Sequence, residues 1–486
     1  IPAALHLYED LPFWKTFFRR LGIKTVTSER YPDAVKQGRL LAGAEFCAPI
    51  TALHGHVKNL LDRSDVVFLP FYLERKNPET EGRRQLCYYT QFAPSLGAAV
   101  GNQEGRERIL TPLVHSLYST LFTKAELYRT LRSVLPGGIS FFEVASAFDE
   151  ATEAQKKGVE RLREVYRREV GQREASPDPA LHVVLLGRPY TILCEWMNKR
   201  IPQIFGSLGV PVFFQDMLSY ASEDVAALRS LLEEVHWNYA AQILEAAEVV
   251  ARTPGAYPAF VTSFKCSPDS FLTDYFRTIL ESHGKPYLIL ELDEHDSRLG
   301  YETRIEAAVR SFRNHHGGAR KALREEGETR VEADAEVVVQ GSVDAIVAST
   351  RAAWGRMTSA LPAGMRTGPE AIGGAVSAQL IFPAPSEPVD LRGKTILFPN
   401  WDSLSLPLIV AALRKRGMDA RLLEGTESSI RRSLRHNSGQ CTPLNIIAQD
   451  FMDYVRGHDL DPAESVLWTA ASTIACNIRL YPHHIR

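Results

Sequence analysis

Three of the six cysteines in this 486-residue chain share one local pattern, Cys-x-Pro: Cys47-Ala48-Pro49, Cys266-Ser267-Pro268 and Cys441-Thr442-Pro443. Proline suits the first turn of a helix, because the amide it lacks would be unpaired there. Each cysteine is therefore expected just ahead of a helix, facing unpaired N–H groups and the positive end of the helix dipole. That place lowers a thiol pKa and favours the thiolate, the form that binds metal. The competing reading treats these cysteines as small apolar residues packed near strand ends. Three occurrences, two of them inside a repeat, favour ligands.

The repeat sets Leu11-Pro12, Gly22 and Cys47 against Leu406-Pro407, Gly417 and Cys441. Both copies open on an apolar stretch, AALHLY and TILFPN, and continue into PFWKTFFRRLG and PLIVAALRKRG. The proline start and glycine stop predict a three-turn helix, so each copy is expected to be a strand-helix unit. A further cysteine follows in each, Cys87 behind the strand candidate DVVFLPF and Cys476 behind ESVLWTA. No tight Cys-x2-Cys pair of the zinc-ribbon or ferredoxin kind occurs. Ligands so far apart in sequence, each at a strand tip or helix start, describe a cluster held in a cleft between domains. Three thiolates leave one iron of a cubane open to chemistry.

The elements around these residues alternate strand and helix, which predicts an α/β fold with parallel sheets. Residues 1–175 form a first α/β domain with Cys47 and Cys87, closed by the helical ATEAQKKGVERLREVYRREV; residues 176–312 form a second with strands LHVVLLG, VPVFF, AFVTSF and PYLILEL and with Cys266. Residues 313–392 concentrate charge, glycine and proline and are expected to be an irregular segment. Residues 393–486 repeat the first domain in truncated form, with Cys441 and Cys476.

Taken together, IPAALHLYEDLPFWKTFFRRLG, EFCAPITALHGHVKNLL, LCYYTQFAP, LGRPYTI with NKRIPQIFGSLGVPV, SFKCSPDSF, LELDEHDSRLGYETRIEA and TIACNIRLYPHHI resemble the 2-hydroxyacyl-CoA dehydratase and benzoyl-CoA reductase superfamily, in its acyl-CoA dehydratase activase-related branch. The motifs spread over most of the chain. The resemblance implies an oxygen-sensitive cytoplasmic protein of several flavodoxin-like domains with helices on both faces of each sheet. It implies a 4Fe–4S cluster on Cys47, Cys87 and Cys266, or a double cubane, with Cys441 and Cys476 contributing to a second or bridged cluster. It further implies low-potential electrons from an ATP-dependent activase and a small substrate such as an acyl-CoA; a dimer is compatible with it. Two other readings stand beside this one: a regulatory or electron-relay region of an activase without turnover, and a cluster-free α/β small-molecule binder. The chain opens at Ile1 without an initiator Met and stops at Arg486 before any second-copy equivalent of Cys266, so a fragment of a longer protein is expected.

Other residues carry weaker chemistry. Arg188, in Gly187-Arg188-Pro189-Tyr190, follows a strand at the end where open α/β sheets bind ligands. It could pair with a CoA phosphate or a substrate carboxylate, or equally serve as a surface salt-bridge partner. Asp293, Glu294 and His295 close the strand PYLILEL, with Thr303, Arg304 and Glu306 beyond. His295 is the candidate for proton transfer beside the cluster, and Glu306 reads as a helix N-terminal acid. His54 and His56 are read as neutral histidines, with His56, Lys58 and Asn59 among the solvated positions, and Cys194 as a packed thiol. Gly393-Lys394-Thr395 lacks the rest of a phosphate-binding loop and precedes a strand, so ATP is expected only through a partner or a missing domain. A net charge of −2 and the lack of basic stretches interleaved with aromatics argue against nucleic acid. Apolar runs of strand length argue against a membrane span, and unpaired cysteines suit a reducing cytoplasm.

Overall fold

The computed structural model describes residues 1–44, 46–76, 83–100, 103–115, 119–135, 137–174, 181–293, 298–337, 391–400, 405–435 and 442–469. The first unit opens with helices α1 (His6–Arg20), α2 (Ala34–Leu41) and α3 (Ala48–Leu61). Short strands follow: β1 (Val67–Phe68), β2 (Phe71–Tyr72), β3 (Glu74–Lys76) and β4 (Arg83–Gln85). After them come α4 (Tyr88–Gln91), α5 (Ala93–Ala98), α6 (Gln103–Glu107), β5 (Ile109–Leu110), β6 (Leu113–His115), α7 (Thr120–Val134) and α8 (Phe141–Glu174). The strands pair in twos: β1 with β5 and β2 with β6 in parallel, β3 with β4 antiparallel. Leu7, Leu11, Trp14, Phe17 and Phe18 form the buried stripe of α1, spaced three and four apart as an amphipathic helix requires.

The expected strand AALHLY is not one. The helix already begins at His6, and Pro12 lies inside it. What remains of strand pairing there is two hydrogen bonds, Ile1 N to Val26 O at 2.8 Å and Ala3 N to Ser28 Oγ at 3.0 Å. The second copy does form the ladder at the corresponding place. The glycine stops of the two copies are the same device. Gly22 (φ +70°) and Gly417 (φ +81°) each take the left-handed conformation just past a helix. The residue after each glycine reaches back to the helix, Ile23 N to Phe18 O at 2.9 Å and Met418 N to Leu413 O at 3.2 Å.

The second unit is a four-stranded, wholly parallel sheet. Its elements are β7 (His182–Gly187), α9 (Pro189–Ile192), α10 (Ile201–Ser207), β8 (Val212–Phe214), α11 (Arg229–Glu234), α12 (Asn238–Arg252), β9 (Ala256–Ser263), α13 (Ser267–Ser282), β10 (Leu288–Leu292) and α14 (Arg298–Val337). The strand order is β8-β7-β9-β10, the flavodoxin-like order in which the sequence reverses direction between β7 and β9. Successive strand residues face opposite layers: Val184, Leu186 and Phe260 pack on α12 and α13, whereas Val183, Leu185 and Val261 pack with Ile204, Phe205, Ile305 and Phe312. Helices therefore cover both faces, as expected.

One expected domain limit does not hold. Residues 313–337 continue α14 instead of starting an irregular segment, so the second unit runs past 312; residues 338–390 lie outside the described residues. The last unit holds β11 (Thr395–Pro399), α15 (Ser405–Lys415), β12 (Asp419–Leu423), α16 (Glu427–Arg435), α17 (Thr442–Gly457) and β13 (Ser465–Leu467), with parallel strand order β12-β11-β13. A strand, not a helix, starts at Thr395, directly after Gly393-Lys394.

Candidate functional site

Cys47, Cys87 and Cys266 are each the residue immediately before a helix, α3, α4 and α13 respectively. Prolines in the first turns of α3 and α13 pre-set the backbone there. Cys266 follows β9 and Arg188 follows β7, the two strands that flank the reversal in strand order, where an open α/β sheet leaves a crevice for ligands. The three thiols and Arg188 line one cavity of about 350 Å³, together with Leu5, Tyr190, Trp237 and Ser263. Both α/β units thus contribute to its wall. Two of its polar side chains have no hydrogen-bond partner: Ser263 Oγ and Trp237 Nε1, in residues 5% and 3% exposed.

The expectation of lowered thiol pKa values is overturned. Burial pushes Cys47 up to about 12 against the help of the Ile50 amide, and it drives Cys266 well above the ordinary thiol value despite the nearby Arg188 charge. Helix ends supply partial charge, but removing a thiolate from water costs more at these positions. The Cys87 sulfur lies 3.2 Å from Thr90 Oγ1. Cys47 also feels Cys87, and Cys266 feels both, through space. Among the described residues no group of three or more His, Cys, Asp or Glu is placed to hold a single metal ion.

Arg188 is ion-paired, but in the interior and not at the surface where a salt bridge was expected. Its Nε and Nη2 donate to Asp269 Oδ1 at 3.0 and 2.7 Å, and both side chains are almost completely buried. Asp269 Oδ2 accepts from Thr262 Oγ1 at 2.7 Å. Arg188 Nη1 donates to the Tyr190 hydroxyl at 3.4 Å, and its guanidinium lies 5.7 Å from the centre of the Tyr239 ring. The ion pair ties the end of β7 to the first turn of α13, beside Cys266.

His295, Cys441 and Cys476 lie outside the described residues, as does Glu294. α17 begins at Thr442, directly after the position of Cys441, as α3 does after Cys47. Cys194 is buried and is not among the cavity's lining residues, in keeping with a packed thiol. His54 places Nδ1 2.8 Å from Ile50 O, and burial lowers its pKa. His56 is buried, not solvated, and burial pushes it down to about 4. Thr303, Arg304 and Glu306 stand on the exposed side of α14. Trp237 and Ser263 were not singled out in the sequence, because no local spacing marks a tryptophan before α12 or a serine closing a strand.

Residues 1–218 match the family model described as the CoA enzyme activase uncharacterised domain. The match takes in Cys47, Cys87 and Arg188. No curated protein and no solved structure matches the chain.

Proposed function

We propose that this chain is an iron–sulfur component of the CoA enzyme activase and dehydratase system, taking single low-potential electrons from an ATP-dependent activase and passing them to a small substrate such as an acyl-CoA. The observation that carries this reading is the convergence of Cys47, Cys87 and Cys266, from three separate segments, on one cavity at the reversal in strand order. The family match over the first 218 residues supports the system. Cysteine is the ligand of choice for iron–sulfur clusters, and a cubane spreads its thiolates over separate irons instead of gathering them on one ion. Cys47, Cys87 and Cys266 on the cavity wall are ligands of that kind.

In this reading the three thiols would hold the cluster between largely apolar walls. The unpartnered Ser263 hydroxyl and Trp237 N–H are the donors at hand for sulfur or for a ligand. The cluster would supply one-electron transfer at an iron with no cysteine ligand. A second cluster on Cys441 and Cys476 belongs to the same proposal.

One observation favours the electron-relay alternative. Arg188, the candidate substrate anchor, commits three of its five N–H donors to Asp269 and Tyr190 and has its charge matched by Asp269, which weakens it as an anchor for a substrate anion. Iron and acid-labile sulfide on anaerobically reconstituted protein, with an EPR spectrum after reduction, test the proposal. About four irons at the first site are expected. Cys47→Ala, Cys87→Ala or Cys266→Ala should each abolish that signal, and unchanged iron content in all three would sink the ligand assignment. Reduction of an added acyl-CoA separates turnover from relay.

A further inference from the structure

Behind the cavity wall lies a second cluster of charged groups that the ligand set does not use. At its centre is Arg75 of β3, paired with Glu9 and, at 3.1 Å, with Asp10, neighbours on α1. Tyr239 of α12 donates its hydroxyl to Glu9 Oε1 at 2.8 Å. Gln155 of α8 donates to Asp10 Oδ1 at 2.8 Å, and the Tyr72 hydroxyl of β2 also bonds to Asp10. Asp216, in the short 3-10 turn Gln215–Met217, adds a third carboxyl that acts on Glu9 through space, and Arg163 of α8 bears on Asp216. Three carboxyls thus gather around Arg75.

Two routes tie Glu9 to the cavity. The Tyr239 ring stands edge-on to Tyr190 with centroids 5.9 Å apart, and Tyr190 and Arg188 line the cavity. Leu5, the residue just before α1, lines the cavity, and Glu9 lies in the first turn of that helix. The Glu9 side chain keeps 18% of its surface exposed. Asp10 is instead held by Arg75, Gln155 and Tyr72.

An electron entering a poorly solvated cavity raises the local negative potential, and a proton arriving on a nearby carboxyl offsets that cost. We propose that Glu9 binds a proton from solvent when the iron–sulfur centre of the cavity gains an electron, and releases it on oxidation. This rests on the cluster reading above. One electron from an external one-electron reductant would enter the centre, while a solvent hydronium ion gives up one proton, its O–H bond breaking as an O–H bond forms on the Glu9 carboxylate and neutral water is left. Burial, outweighing the pull of Arg75, pushes the Glu9 carboxyl up to about 7, which puts the exchange in the neutral range.

The test is the midpoint potential of the full chain, reconstituted anaerobically, titrated with Ti(III) under EPR between about pH 6 and 8. In the wild type the potential should fall with pH by up to about 59 mV per unit, the tenfold-per-unit limit for one electron and one proton. Glu9→Gln should flatten the dependence, and Tyr239→Phe, which removes a hydrogen bond to the ionised carboxyl, should move it to higher pH. A flat wild-type profile, or a slope that survives in Glu9→Gln, overturns the proposal. Should Glu9→Gln fail to fold, the reduced-minus-oxidised infrared spectrum of the wild type decides: a protonated-carboxyl band appearing on reduction supports the proposal, and its absence refutes it. Iron-free wild type refutes the cluster itself; iron with a pH-independent potential refutes only the role of Glu9.

Discussion

Asp269→Asn isolates the charge that holds Arg188 in place. Arg188 and Asp269 retain 3% and 1% of their side-chain surface, so each ion depends on the other for compensation. Asparagine can turn its carbonyl toward Arg188 and its amide toward Thr262, whose hydroxyl can accept as readily as it donates. The hydrogen-bond geometry then survives and the negative charge does not. Breaking a buried pair by removing one partner costs about 3–5 kcal/mol, and the lower end suits a substitution that keeps the contacts. With an m-value of about 3 kcal/mol/M, a loss of about 3 kcal/mol lowers the urea midpoint by roughly 1 M. Asp269→Ala, which also strands the guanidinium donors and the Thr262 hydroxyl, should cost about 5 kcal/mol. Equilibrium urea unfolding followed by tryptophan fluorescence measures both. Pairing Asp269→Ala with Arg188→Met should regain most of the loss, because no unpaired charge is left. A change within about 0.5 kcal/mol for Asp269→Asn would refute the reasoning, since surface-like substitutions fall in that range.

Helices α2 and α3 cross through two glycines. A methyl group on Gly38 would overlap the Thr51 carbonyl, and one on Gly55 would overlap the Ala34 backbone, so Gly38→Ala or Gly55→Ala must separate the helices at a cost of at least about 1–3 kcal/mol each, read as a lowered unfolding midpoint. An unchanged midpoint would contradict the crossing. His56 gives a pH signature with a definite sign. Its folded-state pKa lies near 4 whereas the unfolded chain binds the proton near 6.5, so its stabilising contribution is complete above pH 6.5 and is lost as pH falls toward 4, by about 3 kcal/mol. Stability measured across that interval should fall less steeply in His56→Gln, and parallel curves would show that the ring is not held neutral.

What could be read from the sequence was local. A proline two residues past a cysteine fixes a helix start, and a glycine past a helix fixes its stop, so the positions of Cys47 and Cys266 and the roles of Gly22 and Gly417 follow from a few neighbours. The parallel sheet around β7 and β9 was equally visible, as unbroken apolar runs. AALHLY misled because the apolar run extends into α1, where Leu7 serves the inner stripe, and only the partner strand decides between the two states. The stretch after residue 312 misled for a related reason: Gly317 and Gly318 looked like punctuation, yet the alanine, arginine, glutamate and lysine around them favour helix. The thiol pKa values depended on burial, which only the assembled fold determines. The Glu9–Arg75 cluster collects residues 9, 10, 75, 155, 216 and 239, and no spacing in the chain announces it.

The join between the first two α/β units is mechanical as well as chemical. Gln85, two residues ahead of Cys87, donates its backbone N–H to His236 O at 2.8 Å and pairs with Trp237 as a one-residue parallel bridge. Arg84 meets Glu245 at 2.7 Å, and Tyr239 meets Glu9. A hinge opening of the cavity would have to shear this seam, leaving a strand-end amide and two charged groups bare. The segment carrying Cys87 is riveted to the unit carrying Cys266, so the spacing of those thiols is set by the seam. Passage into the cavity then falls to side-chain motion at its mouth, where Tyr88 and Tyr89 line the wall and remain more than 40% exposed.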